Sequence, residues 1–313
     1  MENNRILYFD YAKFIAIAAV IYGHCIQHYG GGHLTTGLPY LIIYSFHMPL
    51  FMMISGFFFS HSMRLAFPSF IKKKSIQLLI PYLTWQIVSI SVKMMMGKFI
   101  LEDVIRWDFW FLISLYICSV LAWIVYHMPK TSYKILALLF SIILTQVSIF
   151  RLRDMYPCFL FGLLLAYKDD LVNKHRVQYF LCSLIVYFVL SFFTLDEHFF
   201  DVGFSPLGIL KQINVIVVGI TGSFVIICLC KKCEALLPDR LASIGQKTLG
   251  IYLVQSLLFT LTKNYFFVGG YFESILSYVV VFPFIATIYL GFSLFVIRLI
   301  MKNKHVSFYL LGK

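Results

Sequence analysis

Apolar residues gather in ten long runs, at approximately 6–28, 38–60, 76–96, 109–127, 133–150, 155–168, 177–195, 207–230, 247–267 and 275–300. A hydrocarbon core about 30 Å thick takes roughly 20 helical residues to cross, and only the run at 155–168 falls well short of that. The pattern predicts an all-α polytopic membrane helix bundle of about ten transmembrane helices. The longest polar stretches, 61–75, 97–108, 195–206 and 231–246, are too short for a second core, so residues 1–313 read as a single transmembrane domain. Within 234–246, Leu236, Leu237, Leu241 and Ile244 sit among polar residues, which suits a helix on the inner surface as well as a plain loop.

The first run differs from the others because three ionisable side chains, Asp10, Lys13 and His24, interrupt it. A charged group at mid-bilayer costs at least about 2.5 kcal/mol, so such residues usually turn toward protein or toward water. At about 100° per residue, the step from Lys13 to His24 returns to within roughly 20° of the same helix face. Asp10 lies one turn before Lys13, within ion-pair reach. The three make one polar stripe, roughly 16–21 Å long at about 1.5 Å per residue. The run is too long and too charged for a cleaved signal peptide, and is expected to be retained.

Soluble domains are about 45–50% apolar and about 25% charged. This chain is 60% hydrophobic and 13% charged, with a mean hydropathy of +0.85, which excludes an ordinary soluble protein. Its net charge of +12 is dispersed between the apolar runs, so it points to membrane topology and membrane lipids, not to nucleic acid. With the N-terminus inside, 18 Lys and Arg fall on the inner side and seven on the outer, which predicts two cytoplasmic termini. The seven Cys lie mostly in or beside apolar runs and imply no disulfide framework. Cys228, Cys230 and Cys233 cluster without nearby His partners, so reduced thiols are expected there and no metal.

Candidate chemistry concentrates near the N-terminus. His24 has the basicity to take a proton from a hydroxyl or to carry an acyl group transiently; a hydrogen-bonded packing role is the bland alternative. Asp10 and Lys13 either neutralise each other or hold an anionic group and fix the helix for His24. In the second run, Ser45-Phe46-His47-Met48-Pro49-Leu50-Phe51 leads into Ser55-Gly56-Phe57-Phe58-Phe59. His47 is a second candidate histidine, Pro49 should kink the helix, and Ser55-Gly56 offers a small surface for another helix. Lys72, Lys73 and Lys74 precede Gln77 and Pro81-Tyr82; the cluster suits topology or anionic lipid, and also the phosphates of a soluble cofactor such as coenzyme A. Trp107, Trp110 and Phe111 read by default as an aromatic belt. Gln146, Gln212, Asn214 and Gln255 lie within runs and suit hydrogen bonding between helices.

Taken in order, these segments resemble the acyltransferase family 3 membrane proteins, in particular sugar O-acetyltransferases akin to fucose 4-O-acetylase. That family opens with Arg, then Asp, then a basic residue followed by His, as Arg5, Asp10, Lys13 and His24 do here, with Lys13 where Arg is more usual. Phe46 to Phe51 and Ser55 to Phe59 are similar to its second-helix segment. Lys74 and Gln77 stand where the family often has two arginines ahead of Pro81-Tyr82, so the second basic position is absent. Trp110-Phe111-Leu112 and Leu249 to Leu253 are weaker echoes, and Gln255 follows the latter where some members have histidine.

The resemblance implies an acetyl-CoA-dependent O-acetyltransferase of about ten helices in the bacterial inner (plasma) membrane. Its acceptor would be a hydroxyl of a surface polysaccharide or lipid-linked glycan precursor. His24 is then the expected catalytic residue, with Asp10 and Lys13 beside it. Arg5, His47, Ser55, Lys72, Lys73, Lys74 and Trp110 are expected to bind donor or acceptor. No metal and no appended domain are expected. The competing class is a transporter or flippase of lipid-linked sugars, in which the same ionisable groups would couple to protons. Against it, the polar groups concentrate in the first two runs and no paired halves stand out.

Overall fold

The computed structural model describes residues 6–30, 32–35, 37–97, 108–146, 149–168, 173–194, 206–263 and 274–313, and among these it is all-helical. A helix stands at each of the ten apolar runs, and two short helices, before the ninth run and after the tenth, bring the numbered set to twelve. We number them α1 (Leu7–Tyr29), α2 (Leu38–Phe59), α3 (Phe67–Met95), α4 (Trp110–His127), α5 (Thr131–Leu144), α6 (Leu152–Tyr167), α7 (Arg176–Thr194), α8 (Pro206–Lys232), α9 (Asp239–Gly245), α10 (Thr248–Thr262), α11 (Ser277–Ile300) and α12 (Lys304–Leu311). Six of them, α1 to α4, the Gly208–Lys232 part of α8, and α11, are long and apolar enough to cross a membrane. Helix α5, the Arg176–Ser191 part of α7, and α10 are apolar but shorter, and α6 carries Arg153 and Asp154 in its first turn.

The hub is α1. It packs against α2, α8, α9, α10 and α11, and it is far more deeply buried than α11. Outward faces are apolar: Leu136, Phe140 and Ile143 on α5, Ile185 and Phe188 on α7, and Phe284, Ile288 and Phe295 on α11 are all exposed. A protein that exposes such broad apolar faces while burying Asp10, His47, Gln212 and Gln255 is built for a lipid surround.

Two glycines let α2 and α6 cross in close contact. A Cβ at Gly56 of α2 would stand 1.9 Å from the Phe159 carbonyl oxygen, and one at Gly162 of α6 would stand 1.9 Å from the Met53 carbonyl oxygen. The small surface expected at Ser55-Gly56 is therefore where α6 docks. Helix α2 runs on across Pro49, which has no N–H to return to the preceding turn.

Two boundaries differ from expectation. Helix α3 begins at Phe67, so the lysine triad lies in a helical turn and continues into a π-helical turn at Ser75–Leu79. A second π-turn, Ser277–Val281, also comes just before an X-Pro step, Phe282-Pro283, as the first does before Ile80-Pro81. A proline ring crowds the carbonyl four residues back, and one wider turn relieves that clash without breaking the helix. Residues 234–246 form a short 3₁₀ turn at Glu234–Leu236 and then α9, so the helical alternative holds there.

Candidate active site

The stripe on α1 is anchored at its start. Lys13 Nζ lies 3.2 Å from Asp10 Oδ1, and Gln246, just beyond α9, donates to Asp10 Oδ2 at 3.2 Å. Helix α9 sits so close that a Cβ at Gly245 would be 1.9 Å from the Asp10 carbonyl oxygen. Lys13 also lies over the Phe58 ring, 5.1 Å from its centroid. Three turns on, His24 Nδ1 is 3.1 Å from Gln255 Oε1 of α10. The His24 ring meets Phe259 edge-on at 5.5 Å.

Two cavities open along this face. The first, about 200 Å³, is lined by His24, His47, Trp110, Asp108, Arg151 and Asp154 among others. The second, about 180 Å³, is lined by Lys13, Ser55, Leu78, Phe111 and Thr248 among others. Each is several times the roughly 30 Å³ share of one liquid water, so neither is a packing defect. Met48 and Tyr252 border both. The chain order fits this: α1 runs from Lys13 at the second cavity to His24 at the first, α10 runs the same way from Thr248 to Ser256, and α2 runs back from Ser45 to Ser55.

Of the residues singled out in the sequence, His24, His47 and Trp110 come together in the first cavity, while Lys13 and Ser55 face the second. Asp10 is buried behind Lys13 and lines neither. His47 Nδ1 donates to the Ile43 carbonyl at 2.6 Å, which leaves its Nε2 as the acceptor. Lys72 and Lys73 are exposed and line neither cavity, so the structure does not bring them to the histidines. Lys74 is half-buried with Nζ 5.7 Å from the Phe59 ring, one turn before Leu78 of the second cavity. Arg5 and Trp107 fall outside the described residues. Trp110 is a wall of the first cavity, and the Arg151 guanidinium lies over its ring at 5.6 Å. Gln212 donates to Gln146 at 3.0 Å, the inter-helix bond expected of such residues.

Sequence reasoning missed Asp108, Arg151 and Asp154. Asp108 accepts from Lys93 at 2.7 Å and from Ser89 at 2.9 Å, and so is held from α3 at the mouth of α4. Arg153 Nε lies 3.6 Å from Asp154 Oδ1. In a chain with only 14 Asp and Glu, an acidic residue at the end of an apolar run was itself a usable signal.

A helix bundle whose buried face carries a histidine into a paired cavity is suited to group transfer inside a membrane. The chain belongs to acyltransferase family 3: the family described as "Acyltransferase domain" matches residues 6–299. Among curated proteins, "Nodulation protein NolL" of Mesorhizobium japonicum is 46% identical over 87 residues, which is 26% of this chain and 23% of that protein. "Nodulation protein NolL" of Sinorhizobium fredii is 39% identical over 87 residues, 26% of this chain and 24% of that protein. The matched part spans about a quarter of each relative. No solved structure matches the chain.

Proposed function

We propose that this acyltransferase is a membrane O-acetyltransferase that moves an acetyl group from acetyl-CoA to a hydroxyl of a surface polysaccharide or lipid-linked glycan precursor. The observation that carries the reading is the pair of cavities bordered in common by Met48 and Tyr252, one lined by His24 and the other by Lys13. The acceptor occupies the first cavity, where Trp110 offers a flat apolar face and Asp108, Arg151 and Asp154 offer hydrogen bonds to hydroxyls. The donor's thioester arm enters through the second, largely apolar cavity. Its phosphates remain near Lys74, with Lys72 and Lys73 contributing charge from the surface.

Transfer needs one proton moved and one bond exchanged. His24 takes the proton from the acceptor hydroxyl, the hydroxyl oxygen attacks the thioester carbonyl, and the C–S bond breaks. The proton then passes from His24 to the departing coenzyme A thiolate, so the histidine ends as it began. His47 stands across the cavity to hold the acceptor or the developing oxyanion. The Asp10–Lys13 pair fixes the start of α1. The reading includes ten spans with both termini cytoplasmic in a bacterial inner membrane, supported by the 18-to-7 distribution of basic residues.

Mass spectrometry of surface glycans from cells with and without this chain tests the reaction. Glycans of the deleted strain are expected to lack one acetyl unit per modified sugar, and identical spectra would overturn the assignment.

A further inference from the structure

We infer that Gln255 is a positioning residue that holds His24 in the tautomer with its proton on Nδ1, leaving Nε2 free as the proton acceptor. This rests on the reading of His24 as the base. An amide has one accepting and one donating end, and which end faces the imidazole is decided by its other contact. Gln255 Nε2 donates to the Tyr252 carbonyl at 3.2 Å, and a carbonyl oxygen accepts only. The opposite end, Oε1, therefore faces His24 Nδ1 at 3.1 Å and can only accept from it. Nδ1 must carry the hydrogen.

Burial makes this arrangement firm. Gln255 is 0% exposed, so water cannot substitute for either bond. The amide cannot flip without setting its own oxygen against the Tyr252 carbonyl and leaving its NH₂ without that acceptor. Phe259 meets the ring edge-on at 5.5 Å and limits its rotation. Tyr252, whose carbonyl sets the amide's direction, also borders both cavities, so one turn of α10 fixes the imidazole and walls the space beside it. A neutral amide suits the task in a membrane interior because it orients the ring without adding a second charge.

The test compares two substitutions of similar size in purified full-length protein with labelled acetyl-CoA and the glycan acceptor. Gln255→Met keeps the bulk and removes the acceptor; Gln255→Glu keeps an acceptor oxygen. Gln255→Met is expected to lower kcat by about 10-fold or more, as loss of the correct tautomer does in other histidine-dependent enzymes, with KM for acetyl-CoA unchanged. Gln255→Glu keeps an oxygen facing Nδ1 and is expected to lose less kcat than Gln255→Met, what it does lose coming from the carboxylate oxygen it sets against the Tyr252 carbonyl. Wild-type kcat in Gln255→Met, or equal losses in both variants at equal folded yield, would overturn the inference. His24→Ala in parallel separates the two ideas: activity surviving there defeats the base assignment itself, whereas an inactive His24→Ala beside an unimpaired Gln255→Met defeats only the role of Gln255.

Discussion

Phe150 and Arg151 both hold left-handed backbone, at φ 55° and 51°, immediately before α6. For side chains larger than glycine this costs about 1–2 kcal/mol per residue, and such strain persists only where the surroundings impose it. What it achieves is the placement of the Arg151 guanidinium over Trp110 and into the first cavity. An exposed cation–π contact returns about 0.5–1 kcal/mol, and under the proposed function the guanidinium has a second use in holding the acceptor. Asparagine adopts left-handed backbone more readily. Arg151→Asn should therefore change stability by less than about 1 kcal/mol, measured by thermal unfolding in detergent. Loss of a charge-assisted hydrogen bond should meanwhile cost transfer about 10-fold or more, seen in kcat/KM for the glycan. None of this was legible in the sequence, where Arg151 read as one more loop charge, because neither its φ nor its neighbour across the bundle has a sequence signal.

Helices α2 and α6 depend on their reciprocal glycines. A valine at Gly162 would drive its side chain into the Met53 backbone, and no flexible side chain stands there to yield. Gly162→Val should cost more than about 3 kcal/mol and separate the helices. The expected readout is a faster loss of the folded peak in size-exclusion chromatography on heating, with acyl transfer falling too because α2 carries His47 and α6 carries Asp154. A change at the exposed, contact-free Gly291 of α11 should leave both unaltered. Half of this crossing was readable: Ser55-Gly56 advertises a small surface, but a small surface does not say which helix fills it. The π-turns were hidden for a similar reason, since Pro81 and Pro283 mark a disturbed ladder without specifying how the backbone repairs it.

Across the whole molecule, what one helix decides by itself was legible and what several decide together was not. Helical periodicity puts Lys13 and His24 on one face, and they do line two neighbouring cavities. Periodicity cannot say that Gln255, 231 residues away, closes on that face, nor that Asp108, from the turn before α4, and Asp154, from α6, line the same cavity. The lysine triad shows the opposite limit: it was conspicuous in sequence, yet Lys72 and Lys73 lie outside both cavities. The account rests on His24 as the group that moves the proton inside this bundle. Its most direct measurement is acetyl transfer from labelled acetyl-CoA by purified wild-type protein and by His24→Ala, each shown to be folded and monodisperse. The account predicts labelled glycan from the wild type and none above background from His24→Ala; labelled product at the wild-type rate from the variant would contradict it.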